Sequence, residues 1–338
     1  MGAALRSLRG GMGTGAVAGL VVSAVVGAVV IAVAGLIVAC SAGGRDARTP
    51  GPALRPGAVL EGTYRLDFDA AHQLAGGEPK PYAPFSRWFA FRSTCTARGC
   101  IATGSRLQDD DPRQLAEPGF SVVLDYVGGQ WETTFAEHEP CAGQNAPVLV
   151  SWVLTPGDDD ELVGTRIESS VAPGCAYNTE IPAAATRIGD VAASITVADP
   201  AAQPALGPSP PNALSGRYSS KVTNPATGAT ETRPVQLTSA CVRNTVQCRL
   251  LKTAFKNNGT KVVQAFHFAE GRWATDLHQV SKCSDGSTGE ANSHWEYLMP
   301  SHPKNPIVKV VGTERQVSTG PCANTTEFAL SLARTGAA

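Results

Sequence analysis

The chain has 338 residues, nine cysteines and a formal net charge of −1. With charge this balanced, and no Lys/Arg cluster interleaved with aromatics, nothing calls for nucleic acid as a partner. The composition, rich in Gly, Ala, Val, Pro and Thr and poor in Lys, suits a high-GC bacterium.

Residues 1–12 carry Arg6 and Arg9 with no acidic residue beside them, and the run from Gly13 to Ala39 is uncharged. At about 1.5 Å per residue a helix over 13–39 reaches roughly 40 Å, enough to cross a ~30 Å hydrocarbon core. The positive-inside tendency keeps residues 1–12 in the cytoplasm and exports the chain from Ser41 onward. Two readings of the anchor stand. In one it is a retained transmembrane helix; in the other, Ile37-Val38-Ala39-Cys40 resembles the bacterial lipobox, with Cys40 lipidated after signal cleavage. Either reading attaches the protein to the cell membrane, single-pass or lipid-anchored, with its bulk extracytoplasmic. Gly11-Met12-Gly13-Thr14-Gly15 is not a nucleotide loop, because a basic leader precedes it and a membrane segment follows it. Residues 40–56, dominated by Gly, Pro and small polar side chains, read as a tether.

The remainder repeats itself. Gly62-Thr63-Tyr64 returns as Gly216-Arg217-Tyr218, and the close pair Cys95 and Cys100 as Cys241 and Cys248. Gly129-Gln130-Trp131 matches Gly271-Arg272-Trp273, Cys141 matches Cys283, and Trp152 matches Trp295. Val163-Gly164-Thr165 aligns with Val311-Gly312-Thr313, and Cys175 with Cys322. The offset is nearly constant, as a duplicated domain requires. The expected domains are 57–198 and 213–338, with the Pro-rich stretch 199–212 as a semi-rigid linker between them.

Four cysteines per copy in an oxidising compartment read as two disulfides per copy, with three connectivities possible. Short turns favour Cys95–Cys100 and Cys241–Cys248, leaving Cys141–Cys175 and Cys283–Cys322. The spacings are not those of a Cys-x-x-Cys zinc site.

Strand signals recur at short intervals. Residues 87–94 alternate large apolar and polar side chains; 120–127 and 130–135 flank the turn Gly128-Gly129; 148–154 and 162–171 follow. In the second copy 261–268 and 272–277 flank Glu270-Gly271, and 306–317 is rich in Val. Roughly eight strands per copy, with no long helical period outside the anchor, give an all-β class: two homologous antiparallel β-barrel or sandwich domains, disulfide-stapled, behind an N-terminal transmembrane or signal helix. The Gly-x-Tyr opening is similar to the Gly-x-Trp opening of lipocalin-like barrels, without the rest of that pattern.

Anchor plus paired four-Cys, two-Trp repeats resemble the extracytoplasmic modules of actinobacterial membrane proteins and lipoproteins of unknown role. Related modules serve as sensor regions behind the membrane helix of some bacterial serine/threonine kinases. This resemblance implies an envelope sensing role and transfers no functional residue.

No catalytic, cofactor-binding or metal set stands out. The runs Asp109–Asp111 and Asp158–Glu161 lack calcium-loop spacing, and His267, His278, His294 and His302 are irregularly placed and absent from the first copy. Trp131 and Trp273 are candidates to line a ligand cavity, though a Trp beside a hairpin turn also serves as packing under a disulfide. The expected function is a membrane-anchored extracytoplasmic binding or sensing protein. Its partner would be an envelope protein, a lipid or a small apolar ligand. The alternatives are a scaffolding protein whose barrels are filled by side chains, and an enzyme with an unrecognised site.

Overall fold

The computed structural model describes residues 59–337 apart from 98, 142, 158–160, 257 and 284. The stretches expected to be a cytoplasmic N-terminus (1–12), an anchor (13–39) and a tether (40–56, with Cys40) lie outside the described residues, as do Asp158, Asp159 and Asp160. Among the described residues no helix is long and apolar enough to cross a membrane.

The first copy is a closed antiparallel barrel. Its strands are β1 (Gly62–Phe68), β4 (Phe85–Thr96), β5 (Gly99–Leu107), β6 (Ser121–Val127), β7 (Gln130–Cys141), β8 (Gln144–Pro156), β9 (Glu161–Ser170) and β10 (Tyr177–Gly189), and β1 pairs with β10 to close it. A small hairpin, β2 (Leu74–Ala75) and β3 (Glu78–Pro79), continues the sheet alongside β10. The second copy closes in the same order through β11 (Gly216–Thr223), β12 (Thr230–Cys241), β13 (Cys248–Phe255), β14 (Lys261–Ala269), β15 (Arg272–Lys282), β16 (Thr288–Leu298), β17 (Lys309–Ser318) and β18 (Asn324–Gly336). The all-β class therefore holds, and of barrel and sandwich the structure takes the barrel.

Strand alternation fills each interior. Tyr64, Leu66, Phe68, Phe89, Phe91, Leu124, Trp131 and Trp152 build the first core, and Tyr218, Leu237, Leu250, Phe266, Trp273 and Leu332 the second. Each such side chain contributes roughly 1.5–3 kcal/mol by leaving water. Outward-facing Ala90 and Leu107 are covered by Ile195 and Val197, which follow β10. Several strands outrun their apolar stretch: β7 continues through His138 and Glu139 to Cys141, because its ladder with β8 stays paired to Gln144.

Residues 199–213 contain two 3-10 turns, Pro200–Ala202 and Pro210–Ala213. The Asn244 side chain accepts from Gly207 N at 2.6 Å and donates to Ala205 O at 3.1 Å, and Ser209 Oγ donates to Thr245 O at 3.2 Å. On the other side Thr103 Oγ1 donates to Ala198 O at 2.6 Å. The junction is thus held to both barrels.

The two barrels also touch directly. Ile167 packs on Leu251, Val263 and Ala265. Arg243 forks onto Asp125 at 2.8 and 3.2 Å, and Lys261 Nζ meets Glu180 at 2.6 Å. The tip of the β2–β3 hairpin docks on β14, with Val263 N donating to Gly76 O at 2.9 Å. Gly77 turns there with φ +94°, and a Cβ on it would stand 2.5 Å from Lys261 O, so only glycine fits. Arg249 is wholly buried in this contact and donates to Ile167 O at 3.4 Å. Ser169 Oγ lies 2.9 Å from His267 Nε2.

Disulfides join Cys95–Cys100, Cys141–Cys175, Cys241–Cys248 and Cys283–Cys322. The first and third link adjacent strands directly across a turn; the second and fourth span sequence separations of 34 and 39. Chain-entropy arguments give about 4 kcal/mol for loops of that length and about 2 for the short ones. Replacing Cys141 and Cys175 together by Ala should therefore lower the denaturant-extrapolated stability of the first barrel by about 2 kcal/mol more than the same replacement of Cys95 and Cys100.

Burial, reinforced by the Arg249 charge, pushes the His267 imidazole down to about 4. Between about pH 6.5 and 4 the unfolded chain takes up a proton here that the folded chain refuses, so stability falls as pH drops through that window. Denaturant melts at pH 7 and pH 4.5 should show His267→Gln losing roughly 2 kcal/mol less than the parent.

Candidate functional site

At one end of the first barrel the side-chain packing stops short of the rim and leaves a cup of about 520 Å³. Its floor and walls are aromatic: Phe85, Phe89, Phe120 and Trp152, with Tyr82 exposed at the edge. Trp152 is central. It meets Phe89 and Phe135 edge-on at centroid distances of 5.1 and 5.4 Å, and its indole Nε1 is buried without a hydrogen-bond acceptor.

Charges of both signs ring this apolar floor. Glu137 and Glu139 project inward from alternate positions of β7, and Arg166 and Glu168 from alternate positions of β9. Arg166 Nε donates to Glu168 Oε1 at 2.5 Å, its Nη2 lies 3.6 Å from Glu137, and its guanidinium sits 5.4 Å from the Phe68 ring centroid. Arg87 and Arg106 both pair with Asp109, at 3.3 and 2.9 Å. Tyr177 donates its hydroxyl to Glu139 at 2.7 Å. Burial raises the Glu137 carboxyl above its ordinary range, and the Arg166 charge works against that shift. Burial first, then Glu139, also pushes the Tyr177 hydroxyl up, so the phenol stays protonated and donating.

The cup therefore offers an apolar, π-rich body site beneath a rim that can donate from guanidinium and accept at carboxylate. Among the described residues that line it, no nucleophile is paired with a base. Among the described residues no three His, Cys, Asp or Glu side chains converge on a metal position.

Trp131 and Trp273, the tryptophans singled out for a cavity, are fully buried beside their hairpin turns, packed on Tyr126 and Phe268 at 5.1 Å each. The tryptophans that border open space are instead Trp152, in the cup, and Trp295, beside a smaller interior pocket of the second barrel. Sequence reasoning missed Arg166, Glu168, Glu137 and Glu139. Their signal was present as paired charges two residues apart inside otherwise apolar alternation, but a strand whose inward face is unknown offers no reason to read such charges as interior. His278, His294 and His302 lie on the second barrel, apart from the cup, and the first two bond to Asn292 and Asp276.

Fold and site together define a tandem of disulfide-stapled eight-stranded β-barrels, the first opening into an aromatic cup. Residues 55–202 match the family model of the PknI serine/threonine-protein kinase sensor domain. Over 169 residues the chain is 31% identical to the serine/threonine-protein kinases PknI of Mycobacterium tuberculosis and Mycobacterium bovis, covering 47% of this chain and 29% of theirs. It thus spans less than a third of the length of the curated relatives it matches. The solved monomer form of the M. tuberculosis PknI sensor domain is 29% identical, with 42% of this chain and 96% of that chain covered at a TM-score of 0.38. By the family model and the sequence identity, the resemblance to kinase sensor modules falls on the barrel that carries the cup.

Arg166 anchors the rim. Arg166→Ala should leave Glu168 and Glu137 without their cation and cost roughly 2–3 kcal/mol, while Arg166→Met combined with Glu168→Gln should cost less than the sum of its parts. Urea unfolding of Arg166→Ala, and of the parent, Arg166→Met, Glu168→Gln and the double variant, measures both.

Proposed function

We propose that the chain is a membrane-attached extracytoplasmic sensing protein of a bacterial envelope, made of two domains, 57–198 and 213–338, joined by 199–212. The observation that carries this reading is the coincidence of two independent facts. The residues matched by a kinase sensor-domain family are the residues that form the barrel with the open cup. The uncharged segment 13–39 supplies attachment, and the four disulfides suit an oxidising compartment. A non-catalytic role rests on the same family resemblance.

The cup suits a small amphipathic molecule. A volume of about 520 Å³ lies within the range of small-molecule pockets, where apolar walls supply affinity and a few polar groups fix orientation. Such a ligand would lay its apolar body against Phe89, Phe120 and Trp152 and set its polar head against Arg166 and Glu139. The scaffolding alternative asks for barrels filled from end to end, which the cup disfavours.

Native mass spectrometry of the full chain, purified in detergent from its own envelope, tests the reading. A small-molecule adduct should be retained, and Trp152→Ala should abolish it while far-UV circular dichroism stays unchanged. An adduct-free protein, or an adduct indifferent to Trp152→Ala, would overturn the assignment of the cup.

A further inference from the structure

The two barrels have the same register, so their interiors can be compared position by position. The pairs Leu66–Arg87, Phe91–Gly104, Gly104–Val122, Phe135–Val150 and Trp131–Leu154 in the first become Ser220–Arg233, Leu237–Lys252, Lys252–Gln264, Leu277–Ser293 and Trp273–Tyr297 in the second. Five interior positions that are apolar or glycine in one copy thus carry Ser220, Lys252, Gln264, Ser293 and Tyr297 in the other. In the first barrel Gly104 has no room for a side chain, since a Cβ there would lie 2.4 Å from the Phe91 ring. In the second, Phe68, Phe89 and Phe91 are replaced at equivalent register by Val222, Val235 and Leu237. The volume released is a pocket of about 210 Å³, lined by Lys252, Gln264, Ser220, Val235 and Trp295.

Lys252 is the centre of that pocket. It is 8% exposed, donates from Nζ to the Tyr297 hydroxyl at 3.0 Å and lies 4.7 Å from the Trp295 ring centroid. Among the described residues no carboxylate stands within ion-pair distance of it. Glu314 acts from farther off, and Glu231 is engaged by Arg233. The neighbouring Gln264 Nε2 is buried and has no acceptor. A buried cation without a close counter-ion, beside an orphaned donor, is costly in a closed fold. An anion entering the pocket would satisfy both.

We propose that the interior of the second barrel binds a small organic monocarboxylate, its carboxylate paired with Lys252 and its apolar body against Trp295, Val235 and Val222. The pocket is smaller than those that take drug-sized molecules, which limits the ligand to a short or single-ring acid. Burial lowers the Lys252 ammonium to about 8, with Glu314 opposing and Arg233 reinforcing the shift. Binding of the anion should therefore weaken as pH rises through that value. The other charged or titratable groups facing the pocket are Glu231 and Tyr297.

Isothermal titration calorimetry of the full chain in detergent, with isovalerate and benzoate as probes and isovaleramide and benzamide as neutral controls, tests the site. At pH 7 at least one acid should bind saturably, with Trp fluorescence changing in step, and its amide should not. K252M keeps the length and adds no charge, and should weaken the acid roughly tenfold or more. Q264V restores the residue type of the first barrel and should weaken it several-fold, which keeps the proposal testable should K252M fail to fold. Moving from pH 7 to pH 9 should also weaken the acid. No saturation by either acid up to about 10 mM, equal binding of acid and amide, or affinity unchanged in K252M would overturn the proposal.

Discussion

Each barrel is closed by the pairing of its first strand with its last, β1 with β10 and β11 with β18. An open sheet of this length would present two unpaired edges, and closure removes them. Closure also decides which residue of each alternating pair becomes interior. Glu137, Arg166 and Lys252 are functional candidates only because the ring is shut around them. The paired rim charges and the buried ammonium take their altered environments from that enclosure.

Closure alone would leave two independent bodies, but the contact between them is built with directional groups. Arg243 forks onto Asp125, Lys261 meets Glu180, and the hairpin tip at Gly76 accepts a backbone hydrogen bond from β14. Arg249 and His267 are buried in the same contact, and burial lowers the proton affinity of each. Such a contact specifies one relative placement, because each directional bond fails if the barrels slide. An apolar patch of equal area would tolerate several.

Much of the fold was legible in the sequence, and the reason is chemical. Cys, Trp and Gly are rare or conformationally demanding, so their ordered recurrence exposed the duplication, and short spacings such as Cys95 to Cys100 pointed to staples across turns. Strand ends were less legible: His138 to Cys141 carries no apolar alternation, and only the ladder to β8 makes it strand. The candidate sites were least legible. Glu137 with Glu139, and Arg166 with Glu168, look like solvated charges until the inward face is known. Trp131 and Trp152 cannot be ranked as cavity walls by sequence, since one is sealed beneath Tyr126 and the other borders the cup. Lys252 became visible only when its partner position, Gly104, was seen to be filled by Phe91.

Thr63 pairs with Gly189, and Arg217 with Gly336. The chain consequently enters and leaves each barrel at a single pole, so a copy behaves like a bead strung through one hole. Beads of this kind can be added to or dropped from a string without cutting any hydrogen-bond ladder. That geometry lets one barrel keep an open aromatic cup while its twin encloses Lys252 and Gln264.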